Sequence, residues 1–331
     1  MTRITTDVDE AVAAIETGRL VGLPTETVYG LAADATSAAA VRAVFAAKGR
    51  PADHPLIVHV ADADQLDAWG IDVPDLARSV AARRWPGPLT ILLRRGPAVL
   101  DEVTGGRDTV ALRSPAHPMA HAVLVALAAS GRALVAPSAN RFGRVSPTSA
   151  ADVVAELGDA VDVVLDGGRC AVGLESTIVD LSGDVPRLLR YGQLSLDDLS
   201  ADLPGLVVAD AAAPAVAPGM LASHYAPRAE VVLVDHADGG DGLAAAVERE
   251  VGLGRGVGVL AMGVRAELPA GVTLLDAGAD VDEYAHVLYR RLREADALGL
   301  DVIVAVAPSP GGAGAAVTDR LRRAAHPRPG A

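Results

Sequence analysis

The sequence predicts a mixed α/β fold in two domains. Its 331 residues exceed the usual size of a single domain. Strand and helix patterns alternate along the whole chain, and an Ala/Pro-rich stretch over 203–219 separates an unevenly spaced first part from a regular second part. Hydrophobic residues make up 50% of the chain and charged residues 21%, a balance typical of globular proteins with a packed core.

The first part begins with a helix over 7–17, which Asp7 and Glu10 open and Gly18 ends. A strand over 19–23 and a long loop over 24–36 follow, and Ser37 then caps a helix that runs to Lys48. Further strands are predicted at 56–60, 89–93, 109–112, 133–136, 161–165, 177–181 and 187–191, and helices near 62–69, 75–85, 118–129 and 149–157. The uneven spacing favours a mixed sheet over a strict βαβ alternation.

The second part alternates strands and helices regularly. Strands are predicted at 231–235, 257–261 and 302–307, and helices at 240–251, 279–298 and 311–325. This order is typical of a small open α/β domain with parallel strands. We therefore divide the chain into a first domain at 1–203, a linker at 204–227 and a C-terminal domain at 228–331.

The composition excludes several classes of protein. The net charge is −13, with −8 before residue 205 and −5 after it, so neither part has the basic excess of a typical nucleic-acid binder. The single cysteine, Cys170, excludes an intramolecular disulfide framework and a cysteine zinc site. The N-terminus carries acids where a signal peptide needs an apolar run, and no apolar stretch approaches ~18 residues. We expect a cytoplasmic protein that spans no membrane.

Six polar clusters occur in the first part, close to the ends of predicted strands. They lie at 23–30, 48–56, 109–115, 136–148, 175–177 and 190–192. No phosphate-loop, metalloprotease or nucleophile-elbow motif is present. Open α/β sheets bind ligands at strand ends, so the six clusters together predict one ligand site.

Several of these residues allow two interpretations. Lys48 and Arg50 suit a triphosphate, or they complement the end of the preceding helix. Arg113 closes an apolar strand and suits a carboxylate, or it is a surface cation. His59, inside an apolar strand, is more often a core residue than a ligand. Lys48 is the one lysine among 29 basic residues, which indicates either a geometry that the wider guanidinium does not fit or the chance retention of a lysine codon.

In this order the clusters resemble the YrdC-type family, the L-threonylcarbamoyl-AMP synthases. The matching stretches are PTETVYGL at 24–31, KGRPxxxPLIVH at 48–59, APSAN at 136–140, SPT at 146–148 and ESTIVD at 175–180. APGMLASHYAP at 217–227 resembles the linker of the longer, two-domain version. The resemblance implies a twisted mixed sheet around a concave cleft, plus a smaller Rossmann-like domain.

The resemblance also implies a reaction: L-threonine, bicarbonate and ATP give threonylcarbamoyl-AMP and pyrophosphate. The product would pass to the machinery that modifies tRNA at the adenosine next to the anticodon, without direct stable tRNA binding. Lys48 and Arg50 would be catalytic and hold ATP phosphates with Mg²⁺, whose protein ligands stay unspecified. Threonine would bind at Thr27, His59, Arg113, Ala136 and Ser176. ATP would bind at Lys48, Arg50, His54, Thr109, Ser138, Asn140, Ser146, Arg190 and Tyr225.

Two positions add further expectations. Many members of the family carry Asn where this chain has His54, so a phosphate contact there would titrate near an unperturbed pKa of about 6.5. His224 and Tyr225 follow the Ala/Pro-rich stretch, and we expect them to close over the site as part of a lid. On that view, truncating Tyr225 leaves stability nearly unchanged.

Two alternative functions remain open on the sequence. One is a module that binds structured RNA without catalysis, which the acidic charge of both parts disfavours. The other is a nicotinamide- or nucleotide-sensing protein built on the C-terminal domain, which the missing phosphate loop disfavours.

Overall fold

The computed structural model describes residues 2–210, 224–264 and 268–326. The chain divides into two compact units, with unit 1 formed by 1–142 and 146–220, and unit 2 by 143–145 and 221–331. Both units combine helices with sheet, so the predicted α/β class is confirmed. Within the predicted linker, Val207–Val208 forms a short strand, and residues 211–223 lie outside the described residues.

The strands and helices of unit 1 follow one another in irregular order. The strands are β1 (Arg3–Thr5), β2 (Val21–Leu23), β3 (Gly30–Asp34), β4 (Ile57–His59), β5 (Gly70–Ile71), β6 (Leu89–Arg95), β7 (Thr109–Arg113), β8 (Leu134–Val135), β9 (Val163–Leu165), β10 (Thr177–Asp180), β11 (Arg187–Arg190) and β12 (Val207–Val208). The helices are α1 (Val8–Glu16), α2 (Ala38–Lys48), α3 (Leu66–Trp69), α4 (Asp75–Arg84), α5 (Asp101–Thr104), α6 (Pro118–Ala128), α7 (Ala150–Leu157) and α8 (Leu196–Ser200).

These strands form one mixed sheet. The order is β1-β9-β2-β3-β8-β4-β7-β6-β10-β11-β12, with β5 paired to β6. β4 runs parallel to β7, β6 runs antiparallel to β7, and β10 runs parallel to β6. The site described below is built on these four adjacent strands.

Helices cover the two faces of the sheet unequally. On one face, α2, α3, α4, α5, α7 and α8 all contribute to a large apolar core, with Val58, Ile91 and Leu112 from the sheet. On the other face, α1 and α6 pack over β2, β3, β8 and β9 in a separate core. That second core does not include residues of β4, β7, β6 or β10.

The predicted loop over 24–36 is wrong in its second half, because Gly30–Asp34 forms β3. Leu23 pairs with Gly30 in an antiparallel ladder, and Ala33 pairs with Val135 of β8 on the other side. The segment GLAAD has no β-branched residue, so strand propensity gave no signal. β3 is a strand because it pairs with β2 on one side and with β8 on the other.

Unit 2 is a regular open α/β unit. Its strands are β13 (Glu230–Val234), β14 (Val257–Leu260), β15 (Thr273–Leu274) and β16 (Val302–Val306), and its helices are α9 (Gly239–Gly252), α10 (Val281–Ala297) and α11 (Gly314–Ala325). The order β13-β16-β14-β15 is parallel throughout, as the alternating pattern predicted, although the two-residue β15 was missed. Over the described ranges, none of the helices has the length and apolar character needed to cross a bilayer.

Candidate active site

The floor of the site is a small apolar cluster on one face of four strands. Ile57, Leu92, Ala111 and Ile178 pack together there and are buried. Side chains alternate between the faces of a strand, so the neighbouring Val58 and Leu112 point into the large core instead. Within the described part of unit 1, no helix contributes a buried residue to this floor. Polar side chains, among them Arg113 and Ser176, border this face.

Arg113 ends β7 on the same face as Ala111 and is almost fully buried. Its Nη2 donates to Oε1 of Glu26 at 2.7 Å, and its Nε donates to the carbonyl of Gly87 at 3.3 Å. Among the described residues, the guanidinium makes no hydrogen bond through Nη1. Arg113 is therefore a buried cation with one donor group left for a ligand.

His59 lies opposite Arg113 in the register of the parallel strands β4 and β7. Burial lowers the pKa of its imidazole to about 3, and the positive charge of Arg113 acts in the same direction. Nδ1 lies 3.3 Å from the carbonyl of Ile57. At neutral pH, His59 is thus an uncharged ring that offers one donor and one acceptor.

A second edge of the floor carries a buried network of two hydroxyls and a guanidinium. Ser176 Oγ lies 2.7 Å from Thr90 Oγ1 and accepts from Arg190 Nη2 at 3.0 Å. Arg190 Nε donates to the carbonyl of Ser176 at 3.0 Å. Thr90 was not predicted, and the one signal for it was a hydroxyl within an otherwise apolar strand. The network fixes Ser176 and Arg190 relative to each other.

Two carboxylates that belong to the predicted polar clusters were given no specific role from the sequence. Glu26 accepts from Arg113 and also, through Oε2, from the amide of Ala116 at 3.1 Å. Glu175 Oε1 accepts from the hydroxyl of Ser146 at 2.6 Å, and both residues are buried. A buried acid without a partner is costly, so its presence in an apolar context was the available signal.

Lys48 lies at the last turn of α2, which begins because Ser37 accepts from the amide of Ala40 and ends at Gly49 with φ of 61°. Its buried Nζ donates to the carbonyls of Ser138 and Asn140, the latter at 2.5 Å. Burial, together with nearby Arg50, lowers the Lys48 pKa well below its usual range. An ammonium has three N–H groups, so one is left for a ligand.

Arg50 and His54 lie in the loop between α2 and β4. Arg50 Nη2 donates to the carbonyl of Pro55 at 2.9 Å, and the His54 ring lies 5.4 Å from that of Phe142. Burial and Arg50 lower the pKa of His54. Partial burial and a neighbouring cation both disfavour its charged form, so its pKa lies below the unperturbed value, and its contact with phosphate stays a prediction.

Three other predicted residues lie around the same sheet. Thr109 begins β7 on the face that carries Arg113, at the opposite end of the strand. Thr27 is buried with its Oγ1 2.8 Å from Thr25 Oγ1. Ala136 directly follows β8, and its amide donates to the carbonyl of Ile57 at 3.4 Å. A Cβ built on Gly30 would lie 3.0 Å from Ala136 Cβ, so the glycine at position 30 allows these two residues to approach closely.

Tyr225 belongs to unit 2, whereas the other predicted site residues belong to unit 1. Its ring is buried, stacks on Tyr289 with centroids 5.6 Å apart, and lies 5.0 Å from the guanidinium carbon of Arg320. The ring of His224 meets it edge-on at 4.0 Å. These contacts give Tyr225 a structural role within unit 2. Its predicted contact with ATP stays a prediction.

Unit 2 has a cavity of its own, of about 570 Å³. It lies beyond the carboxyl ends of β14 and β16, and α9 forms one wall. Most of its lining is apolar, with His236 and Glu248 as the titratable groups. Across residues 2–210, 224–264 and 268–326, no three His, Cys, Asp or Glu side chains gather as a metal site would need.

Family models match both parts of the chain. A Sua5/YciO/YrdC model, described as telomere recombination, matches residues 13–192, and a model described as threonylcarbamoyl-AMP synthase, C-terminal domain, matches 193–326. Threonylcarbamoyl-AMP synthase of Pyrococcus abyssi is 40% identical over 95% of this chain and 92% of its own. That of Bacillus subtilis is 36% identical over 96% and 92%.

Solved structures agree with these sequence matches. The crystal structure of P. abyssi Sua5 complexed with L-threonine superposes with a TM-score of 0.91 at 37% identity, covering 98% of this chain and 97% of that one. E. coli YciO shares the fold of the first part, with a TM-score of 0.50 at 22% identity over 58% of this chain and 96% of its own. The family resemblance inferred from the motifs is confirmed: the chain belongs to the Sua5/YrdC family of threonylcarbamoyl-AMP synthases, in its two-domain form.

Proposed function

We propose that the chain is an L-threonylcarbamoyladenylate synthase, which converts L-threonine, bicarbonate and ATP into threonylcarbamoyl-AMP and pyrophosphate. The observation that carries this proposal is the face of β4, β7, β6 and β10, where a buried arginine with a donor to spare borders an apolar floor and a hydroxyl network. The synthase names of relatives that match nearly the full length of the chain support it, as does the threonine complex of P. abyssi Sua5.

Threonine binds beside Arg113 on this account. Its carboxylate accepts from Nη1, a charge-assisted contact made stronger by the buried setting. The neutral imidazole of His59 and the hydroxyls of Thr27 and Ser176 supply uncharged donors and acceptors for the amino and hydroxyl groups of the substrate. Ala136 contributes only a methyl group to the adjoining surface of the site.

ATP binds along the remaining polar groups. Lys48 and Arg50 hold the phosphates, with His54 on the same loop, and Thr109, Ser138, Asn140, Ser146 and Arg190 face the nucleotide. Mg²⁺ fits this arrangement as a partner of ATP, because it binds nucleotides mainly through phosphate oxygens and retains several waters. When bound, it neutralises phosphate charge. We extend the ATP site to Tyr225 as a prediction from the resemblance.

The chemistry needs charge neutralisation and alignment. Bicarbonate takes up a proton and loses water to give CO₂. The uncharged threonine amine then forms a bond to the carbon of CO₂, and its nitrogen releases a proton, which replaces the one taken up by bicarbonate and leaves a carbamate. A carbamate oxygen then bonds to the α-phosphorus, and the bond from that phosphorus to the bridging oxygen breaks to release pyrophosphate. Arg50, and Lys48 in its protonated form, stabilise the charge that develops on the leaving group, typically by several kcal/mol.

We class the enzyme as a nucleotidyltransferase, since it transfers the adenylyl group to the carbamate. The acyl-adenylate product is a mixed anhydride, so the reaction that consumes it transfers the threonylcarbamoyl group to the tRNA adenosine next to the anticodon. The net charge of −13 supports hand-over to a separate transferase rather than stable tRNA binding by this chain. We expect this exchange to take place in the cytoplasm.

The direct test is product detection. Purified protein is incubated with L-threonine, isotopically labelled bicarbonate, ATP and Mg²⁺, and threonylcarbamoyl-AMP is measured by mass spectrometry together with released pyrophosphate. We expect a labelled adduct that requires all three substrates, with pyrophosphate in equal amount. Pyrophosphate release that does not depend on threonine, or no adduct under any condition, contradicts the proposal.

A further inference from the structure

Glu26 occupies an unusual place for an acid in a site that receives anionic substrates. Its side chain is only 12% exposed, and its two oxygens take different partners. Oε1 accepts from Arg113 Nη2 at 2.7 Å, and Oε2 accepts from the amide of Ala116 at 3.1 Å. Glu26 thus connects the segment between β2 and β3 to the segment between β7 and α6.

These contacts leave the guanidinium of Arg113 little freedom to rotate. Nη2 is held by Glu26 and Nε by the carbonyl of Gly87 at 3.3 Å, which are two fixed points on one planar group. Because Nε and Nη2 are both held and the guanidinium is planar, the direction in which Nη1 points is fixed as well. Ala116 in turn fixes the carboxylate, so the orientation does not depend on one flexible ion pair.

We infer that Glu26 is a positioning residue: it aims Nη1 of Arg113 at the carboxylate of the amino-acid substrate, and thereby favours substrates that carry this carboxylate. The inference rests on the proposed function, because it takes Arg113 as the group that binds threonine. Glu26 itself touches no substrate on this account. It also balances the buried charge of Arg113 before the substrate arrives, so that the guanidinium is not left without an ionic partner.

The test compares Glu26→Gln with the wild type in calorimetric titrations of two ligands. L-Threonine carries the carboxylate, whereas L-threoninamide is nearly isosteric and lacks it. Glu26→Gln keeps the size of the side chain but removes the ionic contact to Nη2. We expect it to weaken threonine binding by about tenfold or more, while threoninamide and ATP affinities change less than about twofold. Glu26→Asp keeps the charge and should recover part of the loss.

Glu102→Gln is the matched control, because Glu102 also pairs with an arginine, Arg42, but at the surface of the same unit. We expect its binding of both ligands to equal that of the wild type. The double variant Glu26→Gln with Arg113→Lys supplies the second criterion. If Glu26 acts through Arg113, the double variant should bind threonine as tightly as Arg113→Lys alone.

Each other outcome counts against the inference. Equal weakening of threonine and threoninamide means that Glu26 is merely structural. Tighter threonine binding in Glu26→Gln means that Glu26 competes with the substrate for Arg113. Unchanged threonine binding in Glu26→Gln, with weakened binding in Arg113→Lys, overturns the positioning role and leaves the proposed function intact. A wild-type chain that binds no threonine overturns the proposed function itself.

Discussion

His59 and Arg113 occupy paired positions on the parallel strands β4 and β7, and both are buried on the same face of the sheet. Burial lowers the pKa of His59 to about 3, and the guanidinium charge adds to the effect. The imidazole is thus neutral beside a permanent cation, so these two residues together carry one positive charge. An arrangement of this kind suits one carboxylate beside uncharged groups.

This pairing predicts how stability depends on pH. The unfolded chain takes up a proton on His59 near pH 6.5, whereas the folded chain does so only near pH 3. The contribution of His59 to the free energy of unfolding is therefore fully present above about pH 6.5. It is lost as the pH drops toward 3, by at most about 1.4 kcal/mol per pH unit. Both tryptophans lie in unit 1, so urea unfolding followed by their fluorescence reports on this unit.

His59→Gln should remove this component, and its stability should fall less between pH 7 and 5 than that of the wild type. The exposed His236→Gln serves as the control. A His59 ring that titrates near pH 6.5 by NMR would refute the assignment.

Lys48→Arg should impair both stability and activity, although the charge is kept. Nζ of Lys48 is buried between two carbonyls, and the larger guanidinium must displace the 138–140 segment. Overpacking of this kind costs about 1–3 kcal/mol, and we expect turnover to fall by about tenfold or more. Arg42→Lys, on the exposed side of the same helix, should match the wild type in melting temperature and turnover. Normal turnover in Lys48→Arg would mean that lysine at this position is incidental.

Gly192→Ala should disturb the Ser176–Arg190 pair. A Cβ at this position would lie 2.3 Å from the amide nitrogen of Thr177 and 2.6 Å from the carbonyl oxygen of Glu175, and neither backbone atom can move alone. We expect product formation to fall by about tenfold or more, since displacement of the site residues by even about 1 Å is costly. Gly183→Ala is the control, because a Cβ there meets nothing within 4 Å. Equal activity of the two variants would show that the 175–177 segment tolerates the shift.

Tyr225→Ala should destabilise unit 2, contrary to the expectation from the sequence that truncation is nearly neutral. The ring packs on Tyr289 and under Arg320, and losing a buried aromatic side chain typically costs about 3–5 kcal/mol. Tyr225→Phe keeps these ring contacts and should lose much less. Scanning calorimetry of the full chain distinguishes the two, and a Tyr225→Ala protein that melts like the wild type would contradict the packing account.

The sequence was sufficient to predict the fold class and most elements, because helix caps and apolar periodicity are local signals. Ser37 begins α2 and Gly49 ends it, as their residue types indicate. The second part of the chain, in which strands and helices alternate, forms a parallel sheet. By contrast, β3 and β15 were missed, since pairing with neighbours rather than intrinsic propensity makes them strands.

The site was predicted as a set of residues but not as a surface. Local reasoning placed the polar clusters at strand ends, whereas the structure builds much of the site on one face of β4, β7, β6 and β10. The floor comes from every second residue of four separate strands, and no local pattern shows which strands adjoin. Glu26 was part of a predicted polar cluster, but its pairing with Arg113 was not predicted, because the two residues are 87 positions apart in the chain.

The central claim is that Arg113 binds the carboxylate of threonine, and calorimetric titration of threonine into Arg113→Ala tests it most directly. Loss of a charge-assisted contact of about 2–4 kcal/mol predicts a Kd raised by about 30-fold to 1,000-fold. Arg78→Ala, which removes an exposed arginine paired with Asp67, should leave the Kd unchanged. Threonine binding that changes by less than about threefold in a folded Arg113→Ala protein would contradict the account.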